Sequence, residues 1–229
     1  MVKPVKSKIN VDKSRIKQNK SNKSDNKSNK SDKSIYSICP VLIPTVNGSA
    51  DVSTIHVLDT VIRGLNREPV FITSMGNKGI SNTRTWLFES VKRLLEANGF
   101  KDKVARGFII DSDICLLGPD SQKVFNYVLE ADAQKRNFVI PYNFPSGQIS
   151  VFKENENKNL IMLDKGDALP DYTKCAGLGF YYGDIPLDYV FHNDVNAGED
   201  VYFFLDNFKL EQNKVIKDIR LLHKKIGFF

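Results

Sequence analysis

The segment Arg106-Gly-Phe-Ile-Ile-Asp-Ser-Asp-Ile-Cys-Leu-Leu-Gly-Pro119 places an uncharged apolar run directly ahead of two carboxylates. Phe108, Ile109 and Ile110 suit a strand buried on both faces. Gly118-Pro119 then breaks the chain, and Asp120 to Leu129 reads as a helix. In an open α/β sheet, ligands collect at the carboxyl ends of the strands, which is where Asp111 and Asp113 fall. Separated by the small Ser112, the two can present oxygens to one hard divalent cation carrying a diphosphate. The plainer alternative is an acidic turn that merely ends a strand.

Upstream, strand and helix alternate. Ile38 to Ile43 reads as a strand, stopped by the turn-forming Pro44-Thr45-Val46-Asn47-Gly48. Thr54 is the expected cap of a helix with Ile55, Leu58, Val61, Ile62 and Leu65 at helical spacing. Val70 to Thr73 is a second short strand and Gly76 to Gly79 a turn. Ser81 or Asn82 is expected to cap a longer helix that packs Trp86, Leu87, Val91, Leu94 and Leu95 inward and stops at Gly99. Val104 to Ile110 is the third strand. This alternation predicts a parallel sheet with right-handed crossovers.

Downstream of a helix ending near Gln134 the grammar changes. Phe138 to Tyr142, Ile149 to Phe152 and Leu160 to Leu163 read as short strands, followed by the glycine-spaced Cys175-Ala-Gly-Leu-Gly-Phe-Tyr-Tyr-Gly183. Tyr181 and Tyr182 alternate across a strand, so one belongs to the core and the other is offered for stacking on a ligand. Gly198-Glu199-Asp200 opens a helix with Val201, Phe204, Leu205 and Phe208 inward. Val215 to Leu222 is expected as a last strand, ending in His223. The two halves form one continuous sheet in this reading.

The formal net charge of +6 misleads, because residues 1–34 alone carry +8 and leave −2 on the remainder. That tail is a Lys/Ser/Asn repeat without apolar residues after Ile16, so disorder is expected over 1–34 and a folded domain over 35–229. The tail is either a solubilising appendage or a weak tether to anionic surfaces such as nucleic acid or membrane. Cys39, Cys115 and Cys175 show no disulfide or zinc spacing and read as small buried residues. No apolar stretch approaches the roughly 20 residues needed to span a bilayer, and no secretory signal is visible, so a cytoplasmic location is expected.

Four stretches stand in register: Val41-Leu-Ile-Pro-Thr-Val-Asn47, Gly79-Ile-Ser-Asn-Thr-Arg84, Asp111-Ser-Asp113 and Gly198-Glu-Asp200. In this order they resemble the GT-A fold glycosyltransferases, in particular the inverting family 2. The resemblance implies a Rossmann-like nucleotide-binding half continuous with a mixed-sheet acceptor half. It also implies Mn²⁺ or Mg²⁺, a sugar-nucleotide donor, and a glycan, lipid or protein acceptor. Carried over, Pro44 and Thr45 would flank the nucleotide and Arg84 would face the base or diphosphate. Asp111 would approach the ribose or metal, Asp113 would bind the metal, and His223 would be a further metal ligand. Gly177-Leu178-Gly179 matches the acceptor loop, and Asp200 with Glu199 the pair that supplies the catalytic base. Neighbours on a helix diverge, so one of these two is expected to be the base and the other structural. The chain departs from the family at Ile72-Thr-Ser-Met-Gly76, where an acidic run is usual, and at Thr85, where asparagine is usual.

Two other functions compete. A sugar-nucleotide nucleotidyltransferase needs a Gly-rich basic loop after the first strand, and Pro44 to Ala50 offers only Gly48. A non-enzymatic binding protein would act through the basic tail.

Overall fold

The structure, a computed structural model, describes residues 38–45, 48–74, 79–144, 146–157, 159–193 and 198–224. The expected tail over 1–34 and most of the Gly76–Gly79 turn lie outside these residues. The first half builds two parallel crossover units: β1 (Ile38–Ile43), α1 (Val52–Gly64), β2 (Glu68–Thr73), α2 (Ile80–Ala97) and β3 (Val104–Ile110). β1 pairs in parallel with both β2 and β3, with Val41 beside Phe71 and Phe108.

The second half adds β4 (Ile114–Cys115), α3 (Ser121–Gln134), β5 (Asn137–Val139), β6 (Gln148–Glu154), β7 (Leu160–Asp164) and β8 (Phe180–Pro186). α4 (Glu199–Asn207), β9 (Asn213–Val215) and β10 (Leu222–His223) complete it. The main sheet is six-stranded and mixed, in the order β2-β1-β3-β8-β5-β9. Only β8 runs against the rest, antiparallel to β3 and β5, while β9 is parallel to β5. β6 and β7 form a separate hairpin, and β10 pairs antiparallel with β4.

Side-chain alternation sends each strand into two cores. Val41, Ile43, Phe108, Phe138 and Tyr182 meet α1 and α3 on one face. Leu42, Ile109, Val139 and Tyr181 meet α2 and α4 on the other. Both tyrosines are fully buried, and their hydroxyls are spent on Asp184 O and Asp132 Oδ1, so neither is presented to a sugar. All three cysteines are free and buried.

Several expected boundaries shift for local reasons. α1 is capped by Asp51, not Thr54, whose own N–H donates to Asp51 Oδ1 at 3.0 Å. Thr54 instead ties the helix to β4, donating to Ile114 O and accepting from Leu116 N–H. α2 is preceded by Gly79 at φ +79° without a side-chain cap, in place of Ser81 or Asn82. Its inner stripe is Arg84, Leu87, Phe88, Val91 and Leu95, whereas Trp86 falls off that stripe and stays 43% exposed. In α4, Phe203 takes the inward place expected of Leu205. The expected last strand splits into β9 and β10, because the chain bends at Asp218 and leaves the sheet to reach β4. Among the described residues, no helix is long and apolar enough to cross a membrane.

Candidate functional site

One edge of the sheet collects the ends of β1, β2, β3 and β5, the beginning of β8, and the first turns of α1, α2 and α4. Pro44 and Thr45 are buried there. Thr45 N–H donates to Ser74 Oγ (2.9 Å), Thr45 Oγ1 donates to Ser74 O (2.9 Å), and Ser74 Oγ donates back to Thr45 O (3.1 Å). Ser74 stands where the resemblance leads one to look for an acid, and its work is to knot the ends of β1 and β2 together.

Arg84 is the hub. It lies just past the first turn of α2, on the stripe facing the sheet, and is only 2% exposed. Nη2 donates to Asp111 Oδ1 at 2.8 Å and Nη1 to Glu199 Oε1 at 2.5 Å, and Nη1 also reaches Asp200 Oδ1. Burial works against its charge, but Asp111 and Glu199 outweigh that and hold its pKa above the usual arginine value. The guanidinium therefore lies beneath the surface, engaged by three carboxylates. Glu199 and Asp200 do not diverge as expected, because both carboxylates converge on Arg84 Nη1. Both sit in the first turn of α4, where the helix dipole favours negative charge. Asp200 Oδ2 also accepts the N–H of Leu178 at 3.0 Å.

Asp111 and Asp113 flank a tight turn in which Ile114 N–H returns to Asp111 O. Asp113 Oδ2 lies 2.9 Å from His223 Nε2, and Lys224 N–H donates to Asp113 O at 2.7 Å. Lys224 Nζ pairs with Asp51, so the short strand β10 is strapped to both the turn and the cap of α1. Burial raises the Asp113 carboxyl pKa, with Asp111 adding to it and His223 opposing it. His223 Nδ1 is buried and finds no hydrogen-bond partner among the described residues. The expected metal set of Asp111, Asp113 and His223 is thus brought to one neighbourhood but split, Asp111 being paired with Arg84 and Asp113 with His223. Among the described residues, no three His, Cys, Asp or Glu side chains close on a common point.

Between the β6–β7 hairpin and α4 runs a cleft of ≈ 670 Å³, with Gly177, Glu199 and Asp200 in its wall.

The fold is similar to that of A197 from STIV. That crystal structure superimposes with a TM-score of 0.51 at 17% identity, covering 81% of this chain and 84% of that one. A Bacillus anthracis protein named as a glucose-1-phosphate thymidylyltransferase, in complex with a sucrose, matches with a TM-score of 0.45 at 11% identity. The match covers 81% of this chain and 89% of that one. No protein-family model and no curated protein matches the sequence.

Sequence reasoning missed Tyr142. Its ring lies across Gly177 and Gly179, so closely that a Cβ on Gly179 would sit 2.2 Å from Tyr142 Cε1. The same ring packs against His223, with centroids 5.2 Å apart. Gly179 O accepts the Asp111 N–H at 3.0 Å, so the glycine loop joins the β3 aspartate to Asp200 through its neighbour Leu178. Paired glycines signal that something approaches the backbone closely, but nothing in the sequence says what.

Proposed function

We propose that this chain is a metal-dependent glycosyltransferase that moves a sugar from a nucleoside-diphosphate donor to an acceptor hydroxyl with inversion. The observation that carries this reading is the sharing of one buried guanidinium by Asp111, at the end of β3, and by Glu199 and Asp200, at the start of α4. Donor-side and acceptor-side carboxylates are thereby held one arginine apart at the carboxyl edge of the sheet.

The donor set is compatible with a divalent cation. Asp111, Asp113, Glu199 and Asp200 share one guanidinium and one imidazole, which leaves an excess of negative charge. Asp113 Oδ2 and His223 Nε2 already face each other, a hard oxygen beside an imidazole. Cations that accompany diphosphates are commonly held by one or two carboxylates, the substrate's phosphates supplying further oxygens. Asp113 and His223 would hold the ion, which when bound neutralises charge on the departing nucleoside diphosphate.

The acceptor hydroxyl has a high pKa and needs a base within hydrogen-bond reach as it attacks. Asp200 spends both oxygens, on Leu178 and Arg84, and so orients the site. Glu199 gives only Oε1 to Arg84 among the described residues and is assigned the proton. Pro44, Thr45 and the Asp111 backbone shape the nucleotide side, and Gly177 and Gly179 the acceptor side.

Thermal-shift screening of a sugar-nucleotide panel with and without Mn²⁺ tests the reading, since a ligand bound by the folded state raises its melting temperature. One or more sugar nucleotides should raise Tm only with Mn²⁺ present, and Asp113→Asn should remove that rise. No response across the panel, or an unchanged response in Asp113→Asn, rejects it.

A further inference from the structure

The cleft beside Glu199 and Asp200 is chemically two-ended. Its wall carries the two carboxylates together with Phe152, Leu160 and Met162 of the β6–β7 hairpin and Leu205, which lies roughly 9 Å along α4 from Glu199. Leu205 is 48% exposed, and Met162 belongs to neither of the two cores although it is apolar. Two elements therefore turn partly exposed apolar side chains toward one opening, and contiguous apolar surface of this kind marks ligand grooves and partner sites. The volume of ≈ 670 Å³ exceeds the needs of a single sugar ring and falls in the range of pockets that enclose mid-sized ligands.

From this we infer that the acceptor is amphiphilic: a hydroxyl-bearing ring that reacts at the carboxylates, joined to an alkyl or aryl group that lies against Met162 and Leu205. The inference rests on the proposed transferase reading, in which the hydroxyl must reach Glu199. A purely polar glycan would leave the aliphatic end of the cleft wet. Phe144, Phe152 and Tyr202 line the cleft and could stack on the apolar face of a sugar, but Leu160, Met162 and Leu205 offer no ring to stack. An acyl, prenyl or aryl chain fills that end by simple exclusion of water. Such a chain belongs either to a glycolipid held in a bilayer or to a soluble apolar glycoside. The recognising chemistry is the same for both.

The test uses the full chain and two probes that share one sugar, methyl β-glucoside and octyl β-glucoside below its micelle concentration. Binding is read by saturation-transfer NMR and titration calorimetry. The octyl probe should bind about tenfold or more tightly than the methyl probe, from the extra apolar area covered, with the strongest saturation on its alkyl protons. Leu205→Gln and Met162→Gln should each weaken the octyl probe at least about fivefold with Tm unchanged. Ile161→Gln, at a 40% exposed residue on the opposite side of the strand from Met162, should leave it unaffected. Phosphatidylcholine vesicles bearing hexadecyl glucoside separate the two sources. Capture on them with weak binding of soluble octyl glucoside identifies a bilayer-held acceptor, and equal binding of both identifies a soluble one. Equal affinity for the methyl and octyl probes, or octyl binding untouched in both Gln variants, overturns the inference. Displacement of the octyl probe by a nucleoside diphosphate also overturns it, since the cleft would then be the donor's. These results leave the Mn²⁺-dependent thermal shift with sugar nucleotides standing, so the two failures are told apart.

Discussion

Arg84 Nη2 donates to Asp111 Oδ1 across 2.8 Å, joining the first turns of α2 to the end of β3 beneath the site. The same side chain continues to Glu199 and Asp200, so three elements far apart in sequence share one cation.

Removing that cation leaves three partly buried carboxylates facing each other. Arg84→Gln should cost about 3 kcal/mol, a fall of roughly 6–12 °C in Tm. Arg84→Lys, which keeps the charge but not the fork, should cost less. Adding Asp200→Asn to Arg84→Gln should recover part of the loss. Thermal melts of these variants and of Asp200→Asn alone check this, and additive losses would refute a shared network.

Gly179→Ala should destabilise by about 2–4 kcal/mol, because its Cβ would lie 2.2 Å from Tyr142 Cε1. Tyr142→Ala makes room for it. Denaturant melts of the double variant should therefore show a loss clearly smaller than the sum of the single losses.

His223→Ala should weaken Mn²⁺ binding about tenfold or more, measured by electron paramagnetic resonance in the presence of a sugar nucleotide. The fold should survive, since His223 sits on a two-residue strand at the margin. Unaltered Mn²⁺ affinity would remove His223 from the proposed ligand set.

Asp51 carries a pH signature. Burial pushes its carboxyl upward, but hydrogen bonds from Lys224, Ser53 and Thr54 N–H overcome this and hold it well below the usual carboxylate range. A depressed folded-state value contributes stability that is present above the unfolded pKa of about 3.9 and is lost as pH falls through the folded one. Tm should thus show no Asp51 contribution to its slope from pH 7 to about 5, then fall below about pH 4. Asp51→Asn keeps a capping oxygen but loses the ion pair with Lys224, so Tm should fall only slightly at neutral pH and the acid slope should flatten.

Much of the frame was legible because it is written in local periods. Ile38 to Ile43, Val104 to Ile110 and the helix ending at Gln134 stand where apolar spacing puts them, and Gly198-Glu199-Asp200 does open a helix. Caps were less legible. Asp51 and Thr54 both have the chemistry, and the choice is made by Ile114, which engages the Thr54 hydroxyl from 60 residues away. Trp86 looked like core because tryptophan is large and apolar, yet the helix face is decided by Arg84, Phe88 and Val91 together. The interior placement of Arg84 could not be read locally at all. An arginine is buried only when carboxylates from elsewhere meet it, and those come from residues 111, 199 and 200. The cleft's apolar end was hidden for the same reason, since Met162 and Leu205 become neighbours only through the fold.

His223 reaches Asp113 through β10, a segment that pairs with β4 more than a hundred residues earlier in the chain. During synthesis, then, the main sheet can be almost finished while this pairing is still unmade. A ribosome must deliver residues 222 to 224 before Asp113 meets its imidazole. A chain that stops short of residue 222 would therefore leave Asp113 without its imidazole partner.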